Sequence, residues 1–226
     1  MTFSVQTRTV AGVTLIDSTL VRTALEFARA HLDAMSFNHI HRSWIFGAII
    51  ASKLPAFAKI DMEVHAVSAI LHDLAWDYTS VFSSQDKRFE VDGAHAARDF
   101  LQHEAPHYDH RRLQLVWDSI ALHTTPSIAQ HKEPEVALCC MGIMAEFFGP
   151  AFPGGLITKD EYNAVIQELP SLDFKEGVKK FMCGLCIHKP ETTYDTFMRD
   201  FGERFVEGYP ASAGNTVDLL MNPIDH

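Results

Sequence analysis

Residues 61–76 read DMEVHAVSAILHDLAW. Val64, Val67, Ile70, Leu71 and Leu74 recur three and four apart, the spacing that lines one face of an α-helix. The face is wide and almost free of charge, so this helix belongs at the centre of a core. It is predicted to run from Asp61 to Leu74 or Trp76. His72 and Asp73 stand at its end. An imidazole and a carboxylate at the edge of an apolar core cost several kcal/mol unless they are paired or bind a metal. A plain cap, with Asp73 on a neighbouring arginine and His72 a satisfied core histidine, is the ordinary alternative.

The same period continues on both sides. Upstream, Val21, Ala24, Leu25, Ala28, Leu32 and Met35 form one stripe behind Ser18, a good N-cap. A second helix is expected from Asn38 to Leu54, ended by Pro55. Residues 77–89 lose the period and read as a loop. Helices are predicted at 92–104, with Asp92 as N-cap, then at 109–122 and 134–148. FFGPAFPGG is a break. Beyond it, Thr158 and Glu161 form a capping box, and Ile157 and Tyr162 a hydrophobic staple. Tyr162, Val165, Ile166 and Leu169 give the next stripe before Pro170. Helices are then predicted at 173–187 and 191–204, and the tail after Tyr209 is expected to be poorly ordered. Only VQTRTV and AGVTLI near the N-terminus read as strands. The prediction is an all-α fold of eight or nine helices, one domain over 1–226 with its core at about 18–206.

Composition narrows the function. Hydrophobic residues are 47% and charged residues 21% of the 226, which permits a large core and rules out wholesale disorder. A net charge of −10 with no basic stripe argues against nucleic acid as a partner. Arg8, Asp17, Arg22, Glu26 and Arg29 interrupt any secretory signal, and Lys53 and Pro55 interrupt AIIASKLPAFA, so no membrane partner is expected. Four cysteines are too few for a disulfide framework, and the expected location is cytoplasmic. Cys183 and Cys186, three apart in a helix, read as buried small residues rather than a zinc or redox site.

Thirteen histidines direct attention to metals. FNHIHRSWIFGAII carries His39 and His41, VWDSIALHTTP carries His123, and EVALCCMGIMAEFFG holds Glu146 inside an uncharged helix. His39 and His41 lie about 200° apart around a helix, so one ion takes only one of them. One of these two histidines, the His72–Asp73 pair and Glu146, from three separate helices, make a ligand set for one divalent metal. Zinc is the first choice, with iron or manganese as alternatives.

At these residues the chain resembles the HD-domain metalloenzyme superfamily, with its H…HD…D pattern on a helical bundle. It is most similar to the cyanamide hydratase-like branch found in fungi. The segments that carry the likeness are NHIHRSWIFG, AILHDLAWD, DKRFEVDGAHAARDFL, IALHTTPSIAQHKEPEVALCCMGI and KPETTYDTFMRDFGERFV, from about 36 to 206. The resemblance implies metal ligation by His39, His72, Asp73 and a last acid, where this chain has Glu146 in place of the family's Asp. Arg42 stands at the family's arginine, and Glu90 resembles a recurrent family acid. Glu90, His123 and Lys87 are the implied catalytic groups, and His95 is a weaker candidate for substrate contact.

The implied reaction is hydration of a small cyano compound, cyanamide to urea, by water acidified from a pKa of ~16 towards ~7 on the metal. Trp76, Tyr78, Phe82 and Phe89 are expected to wall a narrow apolar pocket for a small-molecule substrate. A phosphohydrolase using Lys87, Arg88 and Arg42 against a small phosphate ester is the first alternative. A catalytically inactive HD module that binds a ligand is the second. A homo-oligomer remains open.

Overall fold

A computed structural model describes residues 6–214 and 216–221. The chain opens with an antiparallel hairpin, β1 (Thr7–Val10) and β2 (Val13–Ile16), with Thr7 opposite Ile16 and Val10 opposite Val13. Its tight turn needs left-handed backbone, which Ala11 (φ 50°) and Gly12 (φ 78°) adopt. Val5, the first residue of the first predicted strand, lies outside the described residues. Among the described residues, everything after the hairpin is helix, 3₁₀ turn or loop.

The helices are α1 (Thr19–His31), α2 (Ala34–Lys53), α3 (Met62–Leu71), α4 (Phe89–Glu104), α5 (His110–Ala121), α6 (Pro126–Ala129), α7 (Pro134–Phe148), α8 (Lys159–Glu168), α9 (Phe174–His188), α10 (Met198–Phe205) and α11 (Thr216–Met221). Among the described residues none is long and apolar enough to cross a membrane. The short α6 and α11 are additions to the predicted set. α11 and a 3₁₀ turn at Ala211–Gly214 occupy part of the tail where poor order was expected, while residues 215 and 222–226 lie outside the described residues.

Caps account for several boundaries. Ser18 accepts a hydrogen bond from the Val21 N–H and starts α1. Asp33 accepts from the Ser36 N–H and starts α2 four residues before the predicted Asn38. Met35, read as the last residue of the first stripe, therefore belongs to α2. The capping box of Thr158 and Glu161 forms at the head of α8. α4 starts at Phe89, not after Asp92: Asp92 lies in the first turn, buried, accepting from the Ser84 N–H and Oγ (both 2.8 Å) and from Lys189 Nζ (3.1 Å).

α3 is the centre of the main core, buried at every residue from Val64 to Leu71 and packed by α1, α2, α5 and α7. It is shorter than predicted, and His72, Asp73, Leu74 and Ala75 form a buried turn beyond it. α2 and α7 pack extensively and closely against each other. A Cβ on Gly142 would lie 2.6 Å from the Ser43 carbonyl oxygen and 3.0 Å from the Gly47 backbone. One turn along, that approach brings Glu146 of α7 against His39 and Arg42 of α2. A second, smaller core joins α9 and α10 to Met35, Trp76 and Phe89. Cys186 is buried in it, with Sγ 3.2 Å from the Met198 carbonyl, and Cys183 is half-buried; both are free thiols.

Candidate metal centre

Three ligand atoms meet where α2 faces the turn after α3. His39 Nε2 is 3.2 Å from Asp73 Oδ2 and 3.2 Å from His72 Nε2, and His72 Nε2 is 3.1 Å from Asp73 Oδ2. All three side chains are buried. A tetrahedral zinc with bonds of about 2.0–2.1 Å holds its ligand atoms about 3.3 Å apart, so the triangle has the right edge. Among the described residues, this is the group of histidines and carboxylates close enough to share an ion.

Neighbouring groups fix which nitrogen of each ring points inward. The Nδ1–H of His72 donates to the Ala69 carbonyl at 2.8 Å, because a carbonyl can only accept, and this leaves Nε2 with a free lone pair. The Nδ1–H of His39 donates to Glu146 Oε2 at 2.7 Å, which leaves Nε2 as the nitrogen turned towards His72 and Asp73. His39 is also stacked on Trp76 (centroids 5.4 Å apart) and Phe174 (4.6 Å). Metal-binding histidines characteristically have such a partner on the second nitrogen.

The local electrostatics favour a positive charge. Burial opposes protonation of His39, yet the Glu146 and Asp73 carboxylates outweigh it and raise its pKa to about 9. Burial also opposes charge on Asp73, but His72 and His39 hold its carboxyl far below the usual carboxylate range. Asp73 Oδ1 is buried without a hydrogen-bond partner. An open carboxylate lone pair beside two inward-facing imidazole nitrogens suits a divalent cation. His39, His72 and Asp73 therefore fit a metal.

Glu146 does not join them. Its Oε2 faces the outer nitrogen of His39, and its Oε1 accepts from Arg42 Nε at 2.8 Å and from Arg42 Nη2. Arg42, fully buried, gives Nη1 to the Leu169 (3.2 Å) and Pro170 (2.9 Å) carbonyls. The expected fourth ligand is thus one shell out, because the close helix pair sets it behind His39 rather than beside it.

Compared with known proteins, the chain matches no family model and no curated protein.

The triangle lines a cavity of about 440 Å³. Trp76 and Phe89 line it, as expected. Tyr78 and Phe82 do not: Tyr78 stacks on His188 (3.8 Å) and Phe82 packs on His31 (4.9 Å) and Phe27 (5.7 Å). Further wall comes from Pro126 of α6, Ile143, Met144 and Phe147 of α7, Val178 and Met182 of α9, Phe197 just before α10 and Phe201 on it. The walls from α9 and α10 belong to the smaller second core.

His123 reaches the cavity from the end of α5. Its Nδ1–H donates to the Ile120 carbonyl at 2.6 Å, and its Nε2 lies 3.5 Å from Asp73 Oδ1. Burial, with His72 nearby, lowers its pKa to about 4. Glu90 is fully buried but does not line the cavity. It accepts from Arg88 Nη2 (2.8 Å) and from the hydroxyl of Thr124 (2.5 Å), which does. Lys87 sits on the loop, paired with the exposed Asp86 at 2.9 Å, away from the cluster. His95 is exposed on α4, and His41 turns away from the cluster, stacked on Trp44.

Sequence reasoning missed the cavity residues of α7, α9 and α10. The four-residue spacing of Phe197, Phe201 and Phe205 was a usable signal, since three aromatics on one face of a short helix need something to face.

Proposed function

We propose that this chain is a metal-dependent hydratase of the HD-domain type, adding water to the carbon of a cyano compound, with cyanamide to urea as the simplest such reaction. The observation that carries the reading is the triangle of His39 Nε2, His72 Nε2 and Asp73 Oδ2, edges 3.1–3.2 Å, lining an apolar cavity. Three protein ligands with a position left open are the pattern of catalytic rather than structural zinc. When bound, a divalent ion, zinc before iron or manganese, supplies a Lewis acid and makes water nucleophilic near neutral pH.

The chain's own groups supply the rest. Glu146 and the Ala69 carbonyl hold the two imidazoles with Nε2 inward. Asp73 contributes the anion. His123, neutral with its proton on Nδ1, presents Nε2 as an acceptor for a proton leaving the water. Trp76 and Phe89 keep bulk solvent from the triangle. Arg42, through Glu146, and Glu90, through Thr124, act as positioning residues.

A phosphohydrolase is the weaker reading. Among the described residues no lysine or arginine lines the cavity, and Arg42, Lys87 and Arg88 are each committed to a carboxylate elsewhere. The free thiols of Cys139, Cys140, Cys183 and Cys186 suit a reducing compartment such as the cytoplasm. Zinc-loaded protein should convert cyanamide or a small nitrile to the urea or amide, and a chelator or His123→Gln should suppress this. Chelator-sensitive phosphate release from nucleoside monophosphates, with no amide formed, would reverse the order of the two readings. Bound metal with neither product would favour a ligand-binding module.

A further inference from the structure

The cavity is larger than a cyano group needs. Liquid water occupies about 30 Å³ per molecule, so about 440 Å³ holds on the order of fifteen water-sized groups. Cyanamide, three non-hydrogen atoms, would leave most of it unfilled. The volume lies within the roughly 300–1,000 Å³ typical of small-molecule sites.

The polar lining residues are clustered. They are His39, His72, Asp73, His123 and Thr124, and the Thr124 hydroxyl is already given to Glu90. The remaining lining is aliphatic, aromatic or thioether. A charged or hydrogen-bonding body would lose its water against these walls and gain no partner. Met144 and Met182 add adaptable surface, and Phe147 and Phe197, 51% and 39% exposed, continue the apolar lining outward.

We infer that the substrate of this site carries its reacting group at the end of a neutral apolar body of on the order of ten non-hydrogen atoms, an aryl or alkyl nitrile rather than cyanamide itself. This rests on the hydratase reading above. The balanced step is R–C≡N + H₂O → R–CO–NH₂: the water oxygen bonds to carbon, two of the three C–N bonds are replaced, and both protons end on nitrogen. The metal-side groups handle the cyano carbon, while the walls from α7, α9 and α10 bind R.

The test is a binding series on the zinc-loaded wild-type protein. N-phenyl-1-naphthylamine, a neutral apolar fluorophore, is bound and then displaced by straight-chain nitriles from acetonitrile to decanenitrile. Affinity should rise about fourfold per added methylene until the cavity is full. Met182→Trp, or Ile143→Phe if the first does not fold, should bring the plateau to a shorter chain. A flat series, or no binding of the fluorophore by zinc-loaded protein, would overturn the inference. Amide formation is followed in parallel. A rising affinity series without amide upholds the apolar body and sinks the hydratase reading. Cyanamide hydrated as fast as every longer nitrile upholds the hydratase and overturns the inference.

Discussion

Glu146 Oε2 and His39 Nδ1 meet at 2.7 Å, on the side of the imidazole turned away from His72 and Asp73. The contact makes Glu146 the group that orients a candidate metal ligand. The same carboxylate neutralises Arg42, so one side chain serves both the candidate metal centre and a buried cation.

Glu146→Gln keeps the shape and removes the charge. Metal affinity should fall about 10–100-fold, the usual cost of losing an outer-shell partner. Arg42 would be left without its counter-charge, so stability should drop by roughly 3 kcal/mol. Zinc competition against a chelator and urea unfolding read the two effects separately. Unchanged zinc affinity would mean that Glu146 does not orient His39.

Gly142→Ala tests the helix approach that creates this contact. The added Cβ meets the Ser43 carbonyl at 2.6 Å, and backbone cannot swing aside as a side chain can. The variant should lose about 1–3 kcal/mol of stability. Zinc affinity should fall with it, because α7 carries Glu146 away from His39. Stability at the wild-type level would show that α2 and α7 are not so tightly joined.

What the sequence disclosed depended on whether a feature was local. Ser18, the Thr158–Glu161 box and Pro134 at the head of α7 signal their helices within one turn, and those starts agree with the structure. Leu32 and Met35 continued a three-residue spacing across a real break, because Asp33 caps the next helix without disturbing the apolar count. His72 and Asp73 were identifiable as a pair out of place at the end of an apolar helix. Whether Glu146 faced an ion or the back of a histidine depended on the approach of α2 and α7, which no local pattern encodes. Tyr78 and Phe82 lie in an aperiodic loop, where nothing in the sequence assigns a direction.

Acid should destabilise the fold through two histidines outside the site. His65 is fully buried with neither ring nitrogen hydrogen-bonded to a side chain, and burial lowers its pKa to about 4. His41 is lowered to about 4 by burial, then by Arg8 and Arg29. Each is neutral in the folded chain, whereas the unfolded chain takes up a proton near the ordinary 6.5. The stability they contribute is therefore intact above about pH 6.5 and lost progressively as pH falls towards 4, on the order of 3 kcal/mol for His65 alone. Urea midpoints across this range should fall with pH, and less steeply in His65→Gln. The same slope in the variant would exclude His65 as a source.

Replacing Cys183 and Cys186 together by Ala should cost about 1–2 kcal/mol, mostly from Cys186, by leaving small voids in the α9–α10 core. Zinc stoichiometry should be unchanged. Loss of an equivalent of metal would show that the pair binds one.

The most direct measurement is metal content by mass spectrometry for wild type, His39→Ala, His72→Ala and Asp73→Ala, each shown to be helical by circular dichroism. The account predicts one transition-metal equivalent in the wild type and essentially none in the three variants. Full occupancy in any folded variant would contradict the assignment of His39, His72 and Asp73 as the ligands.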